Sequence, residues 1–444
     1  MLPFSVYGMM VLKKWWRYIS IVSIIAILLN IILLQTRSVW VATLLFIIII
    51  IISLVIATWK HKTVKFSTDY KQILTFISVF IIIGIISFFL FQKSGALKIF
   101  KYQTQTIFDL QSDNNQARLK MWESTLQLSA DNFFLGVGAG NWKISILPYY
   151  KLKYGSKYQN WRRPHNDLLW VLSEKGIFGV ISYLLIFILI AIYAIKSLLR
   201  EQLKENRLFV ILMLSGIGSY LTFALFSFPY ERSNHQIYLL LMMAGIISIY
   251  CKAHQTSGSI SISALRKVFI IVFIFIMFSI TYSSVLLKSE IYSQKIFVES
   301  KKKHWKKIIK YADEAFSRFT TLDSFSLPYH LYKGIGYTRL KKPQKAFESF
   351  EIAHKYFPTQ ISILNNLGSI SSMLGKHEKS IFYFKKSLDV FPHYEVSLFN
   401  LSKAYYKKGD YTKAYIALLC CNSNNTDAEY TSVKKDLIRR INDN

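Results

Sequence analysis

The side chains best suited to chemistry are arginines in or near a polar, basic stretch, residues 118–179, that lies between long apolar runs. Arg118 opens this stretch, Arg162 and Arg163 follow, and Arg37 stands farther upstream in a short turn. An arginine fork matches phosphate oxygens with parallel hydrogen bonds, each contributing about 1.5–3 kcal/mol. These arginines therefore predict binding of a phosphate-bearing anion. The alternatives are that Arg37 snorkels at the membrane surface and that Arg118 lies on a solvated helix face.

A histidine, His165, follows Pro164 at the point where the chain re-enters an apolar run. If Arg37 and Arg118 lie nearby, their charges lower the pKa of His165 below its usual value of about 6.5. A neutral imidazole at neutral pH is what a general base requires. We therefore expect His165 to be catalytic and Asn166 to orient its ring or contact the substrate. The alternative is a histidine with a purely structural role.

The Gly136–Gly140 run resembles a phosphate-cradling loop, but no parallel strand precedes it, as a dinucleotide fingerprint would require. We expect a turn that lets the backbone pack closely at the membrane surface. The acidic residues of the loop of residues 92–165 show no Asp-x-Asp pairing that would suggest a metal site. We therefore predict a mechanism without metal or cofactor. The acidic residues are Asp109, Asp113, Glu123 and Asp131.

The composition is that of a membrane protein, because 52% of the residues are apolar and several runs approach or exceed about 18 residues. The sequence predicts an all-α polytopic protein, with the first run as an anchor rather than a cleaved signal peptide. These runs contain almost no charged residues, which argues against a transporter. The seven predicted spans are Ile19–Leu34, Val39–Trp59, Ile73–Phe91, Ile177–Ile195, Leu208–Phe226, Ile237–Tyr250 and Val268–Leu287.

The charge distribution predicts the orientation of the chain, since lysine and arginine in short loops stay cytoplasmic. The alternating basic loops place the N-terminus inside, and the loop of residues 92–165 and everything after the last span outside. This loop carries eleven Lys or Arg against four acidic residues, within a net charge of +30. Positive-inside bias does not explain an outward basic loop, and nucleic acid is not expected there. An anionic membrane lipid or a lipid-linked phosphate is the better partner.

The chain changes character after residue 287, where the apolar runs stop and a period of 34 residues begins. We place a membrane domain at residues 1–287 and a repeat domain at 288–444. Small residues recur once per period where paired helices must approach closely, a pattern that resembles tetratricopeptide repeats. Such repeats bind peptides or partner proteins, or serve only to stabilise the membrane part. The three aligned repeats are Leu327–Gln360, Ile361–Tyr394 and Glu395–Ala428, and a degenerate helical pair is expected at Tyr292–Phe319.

Two other residue types receive no chemical role. The three cysteines do not form a disulfide framework, and adjacent Cys420 and Cys421 are expected on different sides of a helix. The histidines of the repeat region lack the spacing of metal ligands and are expected to be solvated. They are His330, His354, His377 and His393.

The ordered set of motifs resembles the superfamily of O-antigen ligases and polymerases, bacterial enzymes of envelope glycans. It comprises Arg37 in its turn, Arg118 with Trp122, the Gly136-Val137-Gly138 run, Pro164-His165-Asn166 with Gly176 and Gly179, and the turn at residues 228–232 with His235. The resemblance covers roughly residues 19–250, and many relatives also carry tetratricopeptide repeats.

The resemblance implies transfer of a glycan from undecaprenyl diphosphate to lipid A core, a growing polysaccharide or a protein. The reaction is expected to be inverting and metal-independent, at the outer face of the bacterial cytoplasmic membrane. Arg37 and Arg118 would hold the diphosphate, with Arg162, Arg163 and Asn166 as further substrate-binding residues. His165 would take the proton from the acceptor hydroxyl.

One departure from the family pattern is the small number of spans before the large loop, three instead of many. Two alternatives therefore stay open: the chain begins within a longer reading frame, or it is an inactive, shortened ligase-like protein. A further alternative is a non-enzymatic membrane-anchored scaffold for polysaccharide assembly. A scaffold should tolerate His165→Ala, whereas a transferase should not. The sequence does not separate ligase, polymerase and protein glycosyltransferase.

Overall fold

The structure is a computed structural model, and the residues it describes are helical apart from turns and an isolated bridge between Leu322 and Pro328. The all-α prediction is confirmed. The described residues are 1–33, 36–60, 102, 105, 109, 111–150, 162–200, 204–254, 261–421 and 428–442.

The chain forms two compact units that differ from the predicted limits at residues 287 and 288. Unit 1 comprises residues 1–138 and 163–259, and unit 2 comprises residues 139–162 and 260–444. Part of the predicted outward loop therefore folds with the repeat region rather than with the membrane helices around it in sequence. The last predicted span also lies in unit 2, within a continuous helix.

Unit 1 contains most of the apolar helices, and α1 was not predicted from the sequence. Its core includes the fully buried Val210, Met213 and Ile246. In chain order up to residue 253, the described helices are α1 Leu2–Val11, α2 Lys14–Leu33, α3 Arg37–Lys60, α4 Asp113–Asp131, α5 Trp142–Ser145, α6 Leu147–Tyr150, α7 Asp167–Arg200, α8 Lys204–Phe226 and α9 Ser233–Ala253, of which α5 and α6 belong to unit 2.

Five of the described helices are long and apolar enough to cross a membrane. Four of them are α2, α7, α8 and α9, and the fifth begins at Ile262; together they match the first and the last four predicted spans. The second predicted span coincides with α3, and the third, Ile73–Phe91, lies outside the described residues.

Unit 2 consists of a long helix followed by stacked helical pairs. The first pair, formed by the end of the long helix and the helix after it, confirms the degenerate pair expected at Tyr292–Phe319. The helices are α10 Ile262–Lys301, α11 Trp305–Ala315, α12 Tyr329–Arg339, α13 Pro343–Tyr356, α14 Ile361–Met373, α15 His377–Val390, α16 Glu395–Lys408, α17 Tyr411–Leu419 and α18 Ala428–Asn442.

The 34-residue period has a direct steric basis in the helical pairs. A Cβ atom added to Gly334 would lie 2.4 Å from the ring of Phe350, and one added to Gly368 would lie 2.5 Å from the ring of Phe384. Both members of the second contact stand 34 residues after those of the first, so each glycine lets the next helix approach. The equivalent Ser402 instead donates a hydrogen bond to the Ala414 carbonyl at 2.7 Å.

The turns between paired helices also repeat. Lys341, Gly375 and Gly409 all have positive φ angles, 56°, 73° and 86°. The left-handed backbone at this position closes each helical pair, and glycine adopts it without strain. These three positions are spaced 34 residues apart, so the turn follows the same period as the helices.

The minor expectations about histidine and cysteine have mixed outcomes. The expectation of a solvated side chain was wrong for His330. Its side chain is 7% exposed and packs edge-on against Phe316, with ring centroids 4.5 Å apart. His393 is exposed as expected. Cys420 is exposed and Cys421 is buried, so the two side chains do point to different sides.

Candidate functional site

The N-terminal end of α7 places His165 and Asn166 at the start of an apolar helix. The Asn166 Oδ1 accepts a hydrogen bond from the Leu169 backbone N–H at 3.0 Å, which caps the helix. His165 has a positive φ of 54°, a conformation that costs a non-glycine residue about 1–3 kcal/mol. Such strain persists only where the surrounding contacts enforce it, and it occurs often at functional sites.

The helix α4 is fixed to the chain immediately before this histidine. The Trp122 indole Nε1 donates a hydrogen bond of 2.8 Å to the Pro164 carbonyl. One turn earlier on α4, the Arg118 guanidinium lies 3.4 Å from the Phe226 carbonyl oxygen at the end of α8. Trp122 therefore brings Arg118 to the same end of unit 1 as His165, although 47 residues separate them in sequence.

The electrostatics of Arg118 and His165 reflect burial and neighbouring positive charges. Burial, and secondarily the charge of Arg37, lower the pKa of Arg118 from its usual value. Burial, and secondarily the charges of Arg118 and Arg163, lower the pKa of His165 to about 4. The predicted direction is correct, but burial rather than the arginine charges is the main cause. His165 is therefore neutral at neutral pH.

The phenyl ring of Phe228 organises the cations around His165. The His165 ring meets it edge-on, with centroids 5.1 Å apart. The guanidinium carbons of Arg163 and Arg232 lie 4.5 Å and 4.7 Å from its centroid, within the range of cation–π attraction. Arg163 also forms an ion pair with Glu231. Arg232 forms no ion pair with any residue that the structure describes.

The short turn that carries Phe228 is held by a buried carboxylate. Asp167, fully buried, accepts a hydrogen bond of 2.9 Å from the Tyr230 backbone N–H through its Oδ2 atom. The Lys175 ammonium, two turns along α7, lies 2.5 Å from the Tyr230 hydroxyl. Because Asp167 follows His165 by two residues, this bond fixes the turn directly against the histidine.

The glycine run forms the tight turn expected from the sequence. Its backbone N–H groups pair with carbonyls that a break in α7 leaves without helical partners. At Gly176 the helix has non-helical angles, with φ 65°. The freed carbonyls of Ser173 and Glu174 accept hydrogen bonds, both 2.9 Å, from the N–H groups of Val137 and Gly138. Buried backbone groups left without partners are costly, so the loop restores the lost pairing.

Gly136 and Gly176 lie where the glycine run crosses α7, and neither position has room for a side chain. A Cβ atom added to Gly136 would lie 2.3 Å from the Glu174 carbonyl carbon, and one added to Gly176 would lie 2.0 Å from the Phe134 carbonyl oxygen. This contact holds the loop after α4 against the first turns of α7. It thereby supports the part of α7 that carries Asp167.

An apolar cavity of about 380 Å³ lies within unit 1, beyond Arg37 along α3. Val39 and Ala42 line it from α3, and Tyr220 and Phe223 line it from α8. It is suited to an apolar chain rather than to a polar ligand. Among the described residues, no group of three or more His, Cys, Asp or Glu side chains is arranged to hold a metal ion.

Most of the predicted site residues lie in one unit, with the exception of Arg162. Arg37, Arg118, Arg163, His165 and Asn166 all lie in unit 1. Arg162 belongs to unit 2, where its guanidinium carbon lies 4.6 Å from the Phe325 ring centroid. Its role in substrate binding stays a prediction, as do the roles of the other site residues.

Sequence reasoning assigned no role to Arg232 or Asp167. The motif around residues 228–232 was noticed only as part of the family resemblance. The one available signal was the local pattern of aromatic, acidic and basic residues in a turn between two apolar runs. Which of these side chains would face His165 depends on the contact between α7 and the turn.

Comparison with protein families agrees with this architecture. Residues 21–184 match the family model described as O-antigen ligase, and residues 361–394 match a tetratricopeptide repeat. The chain therefore carries an O-antigen ligase domain match followed by tetratricopeptide repeats, and the resemblance drawn from its motifs is confirmed. The match supports a glycan-transfer role in envelope polysaccharide assembly by a membrane protein of glycosyltransferase type. No curated protein matches the chain.

Several solved structures are similar to this chain, all with low superposition scores. The tetratricopeptide domain of Sgt2 from Aspergillus fumigatus has 21% identity and a TM-score of 0.25, covering 26% of this chain and 78% of that chain. The MamA protein has 16% identity and a TM-score of 0.30, covering 35% and 88%. The tetratricopeptide domain of P58(IPK) has 12% identity and a TM-score of 0.26, covering 89% and 98%.

Proposed function

We propose that this protein transfers a glycan from undecaprenyl diphosphate to an acceptor hydroxyl at the outer face of the bacterial cytoplasmic membrane. The observation that carries the proposal is a stepwise convergence in unit 1: the charge of Arg37 acts on Arg118, and the charge of Arg118 acts on a neutral His165. The three residues are distant in sequence, and the convergence joins phosphate-binding cations to a proton acceptor.

In the proposed reaction, the acceptor oxygen attacks the anomeric carbon of the donor sugar. The bond between that carbon and the phosphate oxygen breaks, and undecaprenyl diphosphate leaves with the electron pair. His165 takes the proton of the acceptor hydroxyl, and attack from the face opposite the leaving group inverts the anomeric centre. Positive charge aimed at the departing diphosphate stabilises the transition state more than the ground state.

The arrangement of the cations suggests separate roles for them. Arg118 and Arg37 supply the phosphate contacts, because the charge of Arg37 disfavours the charged form of Arg118 and a bound anion would offset this repulsion. Arg163 is already paired with Glu231 and is better placed to hold the turn beside His165. Arg232, stacked on the same ring, supplies a further cation for the anion. The apolar cavity lined from α3 and α8 would receive part of the lipid chain.

The decisive experiment is glycan transfer in membrane vesicles from a lipid-linked donor, comparing the wild-type chain with His165→Ala. His254→Ala is the matched control, since His254 stands in the same unit, stacked against Tyr250 at the far end of α9. Loss of a general base lowers the rate by about 10²–10⁴-fold. We expect such a loss for His165→Ala only. Full transfer by His165→Ala would favour the scaffold alternative.

A further inference from the structure

The middle of the outward loop packs into the core of the repeat unit. Leu147 is 1% exposed and belongs to the same hydrophobic cluster as Phe357 and Leu364. The Thr359 hydroxyl donates a hydrogen bond of 3.1 Å to the Ile144 carbonyl. We call residues Trp142–Tyr150, which form α5 and α6, the docked segment; α6 packs against α15.

The docked segment owes its order to this packing. Its two helices have four residues each, and isolated helices of that length are not stable in water. Trp142 and Ile146 are nonetheless fully buried. Burial of several apolar side chains stabilises the segment, so the repeats supply what the local sequence does not.

A second contact holds the end of the loop to the same unit. The Arg162 guanidinium lies over Phe325. Burial raises the pKa of the neighbouring Asp323, and its hydrogen bonds and the charge of Arg162 oppose this rise. Asp323 is 5% exposed and accepts hydrogen bonds from the N–H groups of Phe325 and Leu327, both at 2.8 Å. Arg162 therefore meets a preformed, buried acidic turn, which is a role distinct from substrate binding.

Both ends of the loop continue directly into the candidate site. Before the docked segment, Gly138 bonds to the Glu174 carbonyl of α7. After it, Arg162 is followed by Arg163, which pairs with Glu231 and precedes His165 by two residues. Because Arg162 and Arg163 are joined by a peptide bond, the contact of Arg162 with Phe325 restricts the backbone that leads to His165.

We propose that the repeat domain binds the docked segment as an internal ligand and thereby fixes the loop that positions Arg163 and His165. The repeats are then a working part of the transferase and not only a platform for other proteins. The docking rests on the packing and the hydrogen bond described above. Its effect on catalysis rests on the proposed function.

The test uses the full chain in detergent and compares Leu147→Glu with Leu419→Glu. Leu419 lies in the same unit and is 53% exposed, so the control makes the same chemical change on an exposed surface. Hydrogen exchange is followed by mass spectrometry on peptides spanning residues 142–150, and glycan transfer is measured in parallel. Unchanged exchange in the α14 core shows that the repeats remain folded, and Thr359→Val gives a milder perturbation should Leu147→Glu disrupt them.

We expect Leu147→Glu to accelerate exchange in the docked segment about tenfold or more, and to lower transfer, while Leu419→Glu does neither. Rapid, unprotected exchange of this segment in the wild-type chain would overturn the docking. Accelerated exchange with undiminished transfer would overturn the coupling to catalysis. A wild-type chain without transfer would refute the proposed function and its coupling, while the exchange result would still decide the docking.

Discussion

The buried position of His165 makes the pH dependence of transfer a quantitative test of its role as base. Burial and the charges of Arg118 and Arg163 lower the pKa of His165 from 6.5 to about 4. The base works only when neutral, so activity should be present above the lowered pKa and disappear as the pH falls through it. At pH 5.5 about 97% of His165 is then neutral, against about 9% for a histidine of ordinary pKa.

The assay is initial-rate transfer in vesicles between about pH 3 and 8, at low and at saturating donor concentrations. The profile of kcat/KM reports the free enzyme and should have its acidic midpoint near pH 4. The profile of kcat reports the complex, in which the bound diphosphate offsets the arginine charges and raises the pKa of His165. Its midpoint should therefore lie at higher pH.

A control separates titration from unfolding. Enzyme held at each acidic pH and returned to pH 7 should recover its full rate. Arg163→Gln should move the kcat/KM midpoint upward by only a minor part of the shift, because burial is the main cause. A kcat/KM midpoint near pH 6.5, or a flat profile through pH 4, would refute His165 as the buried base.

Two further predictions concern the glycine crossing and the additional arginine. Gly176→Ala should destabilise unit 1 by more than about 3 kcal/mol, because its Cβ atom would overlap the Phe134 carbonyl. The control, Gly140→Ala, has φ 79° and no neighbour within 4 Å. It should lower the stability by only about 1–2 kcal/mol, the strain of a left-handed backbone. Thermal unfolding in detergent measures both, and equal losses would show that the close contact is not formed. Arg232→Gln should lower kcat/KM for the donor roughly ten- to a hundredfold, the value of one charged hydrogen bond, whereas Arg200→Gln, exposed at the other end of α7, should not. Equal kinetics for the two variants would remove Arg232 from the site.

The sequence by itself determined the helical class, most of the apolar spans and the repeat period. These features rest on local patterns, since the length of an apolar run and a small residue every 34 positions follow from the chain alone. Gly334 and Gly368 show why the period was readable: each is required by a ring at a fixed distance along the same repeat. The motif order around Arg37, Arg118 and His165 likewise predicted the candidate residues.

The tertiary structure alone decided how these residues are used. Arg162 and Arg163 are neighbours in sequence, yet one lies over Phe325 in unit 2 and the other over Phe228 in unit 1. The low pKa of His165 arises mainly from burial, which depends on surrounding elements distant in the chain. The docked segment has no helix-forming stability of its own and is ordered by side chains about 200 residues away. Such long-range contacts carry no signature in a single stretch of sequence, so the partition of the loop between two units emerged only from the fold.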